Sequence, residues 1–106
     1  MKIGIIISSN DTETVCNALR YSNFAIAEKD EVKVFFMGKG VEHQKISTEK
    51  FNTIKQAEKF LQAGGKIYAC GSCIKSREQK GSEMCPISTM KDMYEIVKES
   101  DKLVTF

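Results

Sequence analysis

The chain has 106 residues, of which 42% are hydrophobic and 28% are charged, and its formal net charge is +2 at pH 7. This composition is that of one folded domain, so it argues against a disordered chain and against a second domain. The balanced charge, the absence of Trp and the lack of aromatic residues interleaved with Lys or Arg argue against nucleic acid as a partner.

The first apolar run, from Ile3 to Ile7, is much too short to span a bilayer, and no small-residue cleavage site follows it. We therefore expect a cytoplasmic protein with no membrane partner, in a compartment where thiols stay reduced. The chain has four cysteines. In such a compartment they indicate catalytic, redox or metal chemistry sooner than a structural disulfide.

Apolar spacing along the chain alternates between strand-like and helix-like patterns. Lys2 to Ser8 is almost entirely apolar, as in a parallel strand that is covered on both faces. Asn10 and Glu13 have the spacing of a capping box at the start of the first helix. In chain order, we predict a strand at 2–8, a helix through 15–26, a strand at 32–36, an irregular polar segment at 38–48, a helix through 51–61, a strand at 66–69, a short helix at 72–79, a flexible loop at 80–86, a helix through 90–97 capped by Ser88 or Thr89, and a strand at 102–106.

This alternation predicts an α/β fold with three layers (αβα), in which a mostly parallel sheet carries helices on both faces and residues 1–106 form a single domain. In such sheets, ligands bind beyond the carboxyl ends of the strands. Three segments follow predicted strands and should meet at that edge, namely 8–12, 37–40 and 70–73. We therefore expect Ser9 and Asn10 to line the same site as the last of these segments.

Cys70-Gly71-Ser72-Cys73 is the segment that most clearly indicates a reactive site, because it places two thiols directly after a predicted buried strand. Such a pair can carry sulfur, exchange electrons or hold a metal. Thiols react as thiolates, and backbone amides at the start of the next helix stabilise an anion. We therefore expect Cys70 to be an exposed, readily ionised nucleophile, and the pKa of at least one of the two thiols to be lowered. Gly71 leaves room for a tight turn and for an approaching substrate sulfur.

The strand, the cysteine pair and Arg77 a few residues later resemble the cysteine loop of the DsrE/DsrF-like family, of which the YchN-like proteins are a close branch. The opening strand with its polar turn and the closing segment 99–106 resemble the same family, so the resemblance covers the whole chain. It implies flavodoxin-like winding of the sheet and a role in sulfur relay or intracellular sulfur oxidation. It also implies assembly into a homotrimer or homohexamer, with sulfur donor and acceptor proteins as partners. We predict no cofactor.

By the same resemblance, Cys70 matches the cysteine that carries sulfane sulfur as a persulfide. Cys73 matches the second cysteine of the YchN-like branch, which makes it the expected resolving thiol. Arg77 matches a basic position of the loop, and the next residue is Glu78, where the family often has glycine. The residues expected to bind the substrate are Gly71, Ser72, Arg77, Ser9 and Asn10.

Other functions fit the same residues. A thiol–disulfide redox protein would use the cysteine pair directly, and a non-enzymatic oligomeric scaffold would present it to a partner. A zinc site would need Cys70, Cys73 and Cys85, with His43 or Cys16 as a fourth ligand. The chain has no second C-x-x-C pair and no His pair, so we predict no metal site.

Five further residues are interpreted from their positions. Cys85 is a candidate second resolving thiol, but it is more simply explained as an incidental cysteine of a mobile loop. Cys16 lies beside the apolar stripe of the first helix and should be half-buried. His43 lies in a charged segment and should be solvated, whereas Met90 and Met93 have helical spacing and should belong to the core.

Overall fold

The computed structural model describes residues 1–106 and contains five strands, four α-helices and one 3-10 helix. In chain order these are β1 (Lys2–Ile7), α1 (Thr12–Ala27), β2 (Glu31–Phe36), the 3-10 helix η1 (Gly38–Glu42), α2 (Thr53–Gln62), β3 (Lys66–Cys70), α3 (Gly71–Ser76), β4 (Ile87–Ser88), α4 (Met90–Glu99) and β5 (Lys102–Thr105). The apolar patterns of the sequence predict all of these elements except η1 and the two-residue strand β4.

All five strands are parallel and lie in the order β4-β3-β2-β1-β5. The chain winds from β1 through β2 and β3 to β4, and then crosses back to place β5 on the other side of β1. Helices α1 and α2 pack on one face of the sheet, and α4 packs on the opposite face. The predicted three-layer α/β fold is therefore confirmed. None of the helices is both long and apolar enough to cross a membrane.

The two faces of the sheet are buried to very different extents. The face under α1 and α2 belongs to a core cluster of 17 buried residues. The opposite face has a cluster of only four buried residues, which are Ile6, Phe35, Cys70 and Ile96. Most of the hydrophobic stabilisation therefore comes from the α1–α2 side, because it scales with the apolar area removed from water.

Helix α4 has an apolar stripe that stays exposed. Its exposed side chains are Met90 (53%), Tyr94 (65%) and Val97 (44%). Ile96 is the buried residue of the helix, and it reaches the sheet where Gly4 leaves space, since a Cβ at Gly4 would lie 3.0 Å from Ile96 Cγ2. The prediction that Met90 belongs to the core is wrong, because one helix alone on this face buries little beyond the side chain that points at the sheet. Met93 packs partly buried against the small cluster.

The first helix starts one residue later than its sequence signal indicates. The Asp11 carboxylate accepts the N–H of Thr14 at 2.9 Å and caps α1. The capping box predicted at Asn10 is wrong, because the Asn10 amide donates to Glu42 in another loop. At α4, the predicted cap at Thr89 is present as a complete capping box.

The 3-10 helix η1 lies directly against the carboxyl end of β1. The N–H of Met37 donates to the Ile7 carbonyl at 3.0 Å, and a Cβ atom at Gly40 would collide with that same carbonyl oxygen. The missing side chain at Gly40 is therefore what lets η1 approach β1. This approach matters for the site, because η1 carries Glu42.

We expect Gly40→Ala to lower the free energy of unfolding by about 1–3 kcal/mol, because the added methyl group must displace η1 from the backbone of β1. Gly64→Ala serves as a comparison for the opposite case, since Gly64 has a φ of 97° and no atom within 4 Å of an added Cβ, whereas Gly40 has no positive φ. It therefore measures conformational strain without a collision. Urea unfolding followed by circular dichroism gives the three free energies. Equal stability of Gly40→Ala and the wild-type protein would contradict the close approach.

Candidate functional site

Three loops meet at the carboxyl edge of the sheet. They are the turn between β1 and α1, the 3-10 helix η1 after β2, and helix α3 after β3. The N–H of Gly38 lies 3.2 Å from Cys73 Sγ, and the side chains of Asn10 and Arg77 both bind Glu42. The loops that carry the three predicted segments therefore meet, with Gly38 and Cys73 in direct contact and Asn10 linked to the others through Glu42.

Cys70 is the last residue of β3 and the N-cap residue of α3. Its side chain points to the α4 face of the sheet, where it packs with Ile6, Phe35 and Ile96. Only 5% of Cys70 is exposed. The expectation of an exposed nucleophile is wrong, because the last paired position of a strand directs its side chain onto a face of the sheet.

An open pocket nevertheless leads to Cys70. The pocket has a volume of about 290 Å³, and Cys70 forms part of its lining. Ser72 and Lys75 of α3, Ile87 of β4 and Met90 at the start of α4 also line it. The pocket therefore brings open space next to Cys70, and the cationic side chain of Lys75 lines the same space.

The two thiols of the pair differ in acidity. Burial raises the pKa of Cys70, but hydrogen bonds from the Cys73 thiol and from the backbone and side chain of Ser72 outweigh it, so the pKa lies below the ordinary value of 9.0. Burial and the neighbouring Cys70 raise the pKa of Cys73, against the opposing effect of the Gly38 N–H. The predicted lowering of one thiol pKa is therefore found at Cys70, which is the better thiolate.

Glu42 is a residue of the site that the sequence analysis missed. Its carboxylate accepts from Arg77 Nε at 2.6 Å and from Asn10 Nδ2 at 3.3 Å. The hydrogen bond from Arg77, followed by that from Asn10, lowers the pKa of Glu42 below its ordinary value. Arg77 and Asn10 were both expected to bind substrate, and that role stays a prediction, but in this structure Glu42 engages both side chains.

The remaining predicted substrate-binding residues are found in different settings. Ser72 lines the Cys70 pocket. Ser9 accepts the N–H of Asp11 at 2.9 Å and so shapes its own turn. A Cβ at Gly71 would lie 2.9 Å from the carbonyl oxygen of Ser88, so Gly71 allows α3 to start close to β4.

Cys85, which was interpreted as an incidental cysteine of a mobile loop, lies inside the protein. It is fully buried in the large core cluster, and its Sγ lies 3.5 Å from the carbonyl oxygen of Val41. Burial raises the pKa of its thiol to about 11. Because Cys70 packs in the small cluster on the other face, Cys73 is better placed than Cys85 to act as a resolving thiol. Cys16 is 5% exposed and therefore more deeply buried than expected.

The structure contains no set of ligands for the zinc site that the sequence left as an alternative. All four cysteines are free thiols. No three side chains of the His, Cys, Asp and Glu types come close enough together to hold a metal ion. A structural zinc site closes with four such ligands, so the arrangement considered from the sequence does not form here.

His43 is fully buried, and the prediction of a solvated side chain is wrong. As the C-cap residue of η1, it turns inward and stacks on Phe36, with 3.9 Å between ring centroids and 9° between ring planes. Neither ring nitrogen has a hydrogen bond of normal geometry. Burial lowers the pKa of His43 to about 4, against a weaker opposing effect of the Met84 backbone. The ring is therefore neutral at physiological pH.

The chain belongs to the DsrE/DsrF-like family, whose model matches residues 1–106. It is 31% identical to an uncharacterized protein of Methanocaldococcus jannaschii, with all of both chains covered. It is 33% identical to an uncharacterized protein of Methanopyrus kandleri, over 89% of this chain and 83% of that one. The resemblance seen in the cysteine loop therefore extends to the whole chain.

Two solved structures share the fold. The YchN protein from E. coli superposes with a TM-score of 0.83 at 19% identity, with all of both chains covered. A conserved protein of unknown function from Bacteroides thetaiotaomicron superposes with a TM-score of 0.77 at 17% identity, over 99% of this chain and 94% of that one. At these identities, the likeness concerns the arrangement of the strands and helices.

We expect the buried His43 to make stability depend on pH. Its pKa is about 4 when folded and near 6.5 when exposed, so between these values the unfolded chain binds a proton that the folded chain does not. The free energy of unfolding therefore rises from pH 4 to pH 6.5 and falls on acidification, by at most about 3 kcal/mol. Urea unfolding across this range measures the slope.

His43→Phe is the matched variant, because it keeps an aromatic ring against Phe36 and removes the titrating group. Its free energy of unfolding should change much less between pH 4 and pH 6.5 than that of the wild-type protein. His43 is the only histidine of the chain, so no other imidazole contributes. The same slope in both proteins would contradict the buried, neutral state of His43.

Proposed function

We propose that this protein transfers sulfane sulfur, carrying it as a persulfide on Cys70 and releasing it with the help of Cys73. Membership of the DsrE/DsrF-like family relates the chain to sulfur relay in general. The specific chemistry is supported by the unequal acidity of the two thiols, since the pKa of Cys70 is lowered and that of Cys73 is raised. Cys70 is then the thiolate that attacks first, and Cys73 is the thiol that acts second.

In the loading step, the Cys70 thiolate attacks the terminal sulfur of a donor persulfide. A bond forms between Cys70 Sγ and that sulfur, the sulfur–sulfur bond of the donor breaks, and the donor leaves as a thiolate. The step exchanges one sulfane sulfur between two thiols, so it needs no external oxidant or reductant. The pocket beside Cys70 provides space for the added sulfur, and Ser72 and Lys75 line it.

Release has two routes. An acceptor thiolate that enters the pocket takes the outer sulfur and leaves Cys70 as a thiolate. Alternatively, Cys73 attacks Cys70 Sγ, so that the outer sulfur departs as hydrosulfide and a Cys70–Cys73 disulfide remains. In this second route two thiols are oxidised and the sulfane sulfur is reduced, so a cellular thiol must reopen the disulfide. That requirement fits a reducing compartment, and we include a cytoplasmic location in the proposal.

The alternative function is thiol–disulfide exchange by the same pair. The low exposure of Cys70 favours the persulfide instead. A persulfide has a terminal sulfur, which can enter a pocket of about 290 Å³. In a disulfide between two protein chains, each sulfur is attached to a protein chain on one side and to the second sulfur on the other, so the attacked atom is less accessible. The pocket therefore suits a small reactive end better than a bulky one.

We expect a single sulfur atom to be added to Cys70 when the reduced protein is incubated with a small-molecule persulfide. Cys70→Ser should gain none, because the thiol whose pKa is lowered has been removed. Cys73→Ser should load sulfur and keep it, because the internal release route is gone. Intact-protein mass spectrometry and peptide mapping measure the adduct and its position.

Cys16→Ser is the matched control for that experiment. Cys16 is also 5% exposed, but it lies on α1 and away from the cysteine pair. Its removal should leave sulfur loading at the wild-type level. An adduct of wild-type yield on Cys70→Ser would rule out Cys70 as the carrier.

We also propose that the chain forms a homo-oligomer, a trimer or hexamer as the resemblance implies, through the exposed face of α4. Its apolar side chains are Met90, Tyr94, Val97 and, from β5, Leu103. Exposed contiguous apolar surface on a small domain is typical of a protein interface. Met90 also lines the Cys70 pocket, so a neighbouring subunit on this face would border the site.

We expect light scattering after size exclusion to give a mass that is a multiple of the 11.9 kDa chain. Tyr94→Asp should shift the protein towards the monomer, because it places a charge in the apolar interface. Phe24→Asp is the control, since Phe24 is 66% exposed but lies on α1. A wild-type protein that is monomeric at high micromolar concentration would refute this assembly.

A further inference from the structure

The Glu42 carboxylate lies at the centre of a hydrogen-bonded network beside the cysteine pair. One oxygen accepts from Arg77 Nε at 2.6 Å, and the other accepts from Asn10 Nδ2 at 3.3 Å. The side chains of Glu42 and Arg77 are each 27% exposed, so water only partly screens the ion pair. Arg77 Nε is bound to Glu42 and Arg77 Nη1 to the protein backbone, so the contacts of Arg77 in this structure indicate a positioning role.

Arg77 connects Glu42 to Cys73. Its Nη1 atom donates to the Cys73 carbonyl at 3.1 Å, and the Ser76 hydroxyl donates to the same carbonyl at 3.0 Å. The Cys73 sulfur is contacted from η1, the element that carries Glu42, by the Gly38 N–H at 3.2 Å. The backbone of Cys73 and its sulfur are therefore both held from the η1 side of the site.

Cys70 is held by different contacts. It pairs with Ser88 in the register between β3 and β4, and the Ser88 hydroxyl accepts the N–H of Ala69 at 3.1 Å. These contacts lie on the side of β3 that faces away from β2 and η1. The strand-end position of Cys70 is therefore fixed from the β4 side and that of Cys73 from the η1 side, although the Cys70 sulfur also receives hydrogen bonds from Ser72 and Cys73.

We infer that Glu42 is a positioning residue that acts through Arg77 and η1 to hold Cys73 for its attack on the sulfur-loaded Cys70, and that it has little part in the loading of Cys70. This role rests on the proposed function of the cysteine pair. In the release step the Cys73 thiol becomes bonded to Cys70 Sγ, the bond from Cys70 Sγ to the outer sulfur breaks, and that sulfur leaves as hydrosulfide with the Cys73 proton. Such a displacement needs the attacking sulfur in line with the breaking bond. A displacement of about 1 Å can slow a reaction of this kind by about a hundredfold.

The test compares loading and release in Glu42→Gln, which keeps the shape of the side chain and removes its charge. Loading of Cys70 from a small-molecule persulfide, followed by intact mass, should stay within about twofold of wild type. Hydrosulfide release, followed by a colorimetric sulfide assay, should slow by about tenfold or more. Arg77→Lys should give the same split, because lysine keeps the charge but cannot bridge Glu42 and the Cys73 carbonyl with one planar group.

Glu99→Gln is the matched control. It breaks the ion pair between Lys33 and Glu99, which are 3.1 Å apart and far from the cysteine pair. Loading and release should both remain at the wild-type rates. This control separates a specific effect of Glu42 from the general effect of losing one partly exposed ion pair.

A second measurement tests the positioning role of Glu42 without any sulfur transfer. Oxidised glutathione closes the reduced pair to a Cys70–Cys73 disulfide and is itself reduced to two thiols. Cys73 performs the closing step, so Glu42→Gln should slow closure by about the same factor as release. If the wild-type protein never loads sulfur, the proposed function fails while this measurement still decides on Glu42. Wild-type closure in both Glu42→Gln and Arg77→Lys, or an equal loss of loading and release, would overturn the inference.

Discussion

The register of the parallel sheet is the constraint on which the site depends. One row across the four strands from β1 to β4 consists of Ile7, Phe36, Ala69 and Ile87. The next pair along β3 and β4, Cys70 and Ser88, is the last pair of the sheet at this edge. A slip of one residue in β3 would turn Cys70 towards α1 and α2, where the large core would enclose it. The burial of Ile67 and Ala69 on that side opposes such a slip.

The same position explains why two neighbouring thiols have different chemistry. Cys70 ends the strand, so the amides of Ser72 and Cys73 point back towards its sulfur and favour the thiolate. Cys73 lies about one turn later, where burial and the adjacent Cys70 keep it protonated. A single thiolate, on Cys70, is stable in this setting, whereas two thiolates in the cysteine pair would repel each other. In the proposed sulfur transfer, the order of attack follows from this backbone arrangement, and in our inference the Glu42–Arg77 pair positions the second thiol.

The periodic parts of the sequence predict the fold well, because alternation and helical spacing report directly on local geometry. The order of the longer elements, the parallel sheet and the position of Cys70 at a strand end all follow from it. What cannot be read in this way is which partner a side chain meets. His43 and Cys85 lie in polar segments, yet the fold buries both. Met90 has core-like spacing but lacks a covering layer, and Glu42 meets Arg77 only because η1 and α3 share an edge.

Glu78 shows how the cysteine loop keeps its shape without the glycine that the family often has after the loop arginine. Its φ is 52°, a left-handed conformation that costs a residue with a side chain about 1–2 kcal/mol. The next residue offsets this cost, because the Gln79 N–H donates to Ile74 at 3.1 Å and its amide donates to the Val41 carbonyl at 2.9 Å. The later Gly81 has a different structural role: it leaves space for Ile87, since a Cβ at Gly81 would lie 2.8 Å from Ile87 Cγ1. The loop therefore keeps the turn that a glycine would favour, held by one hydrogen bond to α3 and one to η1, the element that also contacts Cys73.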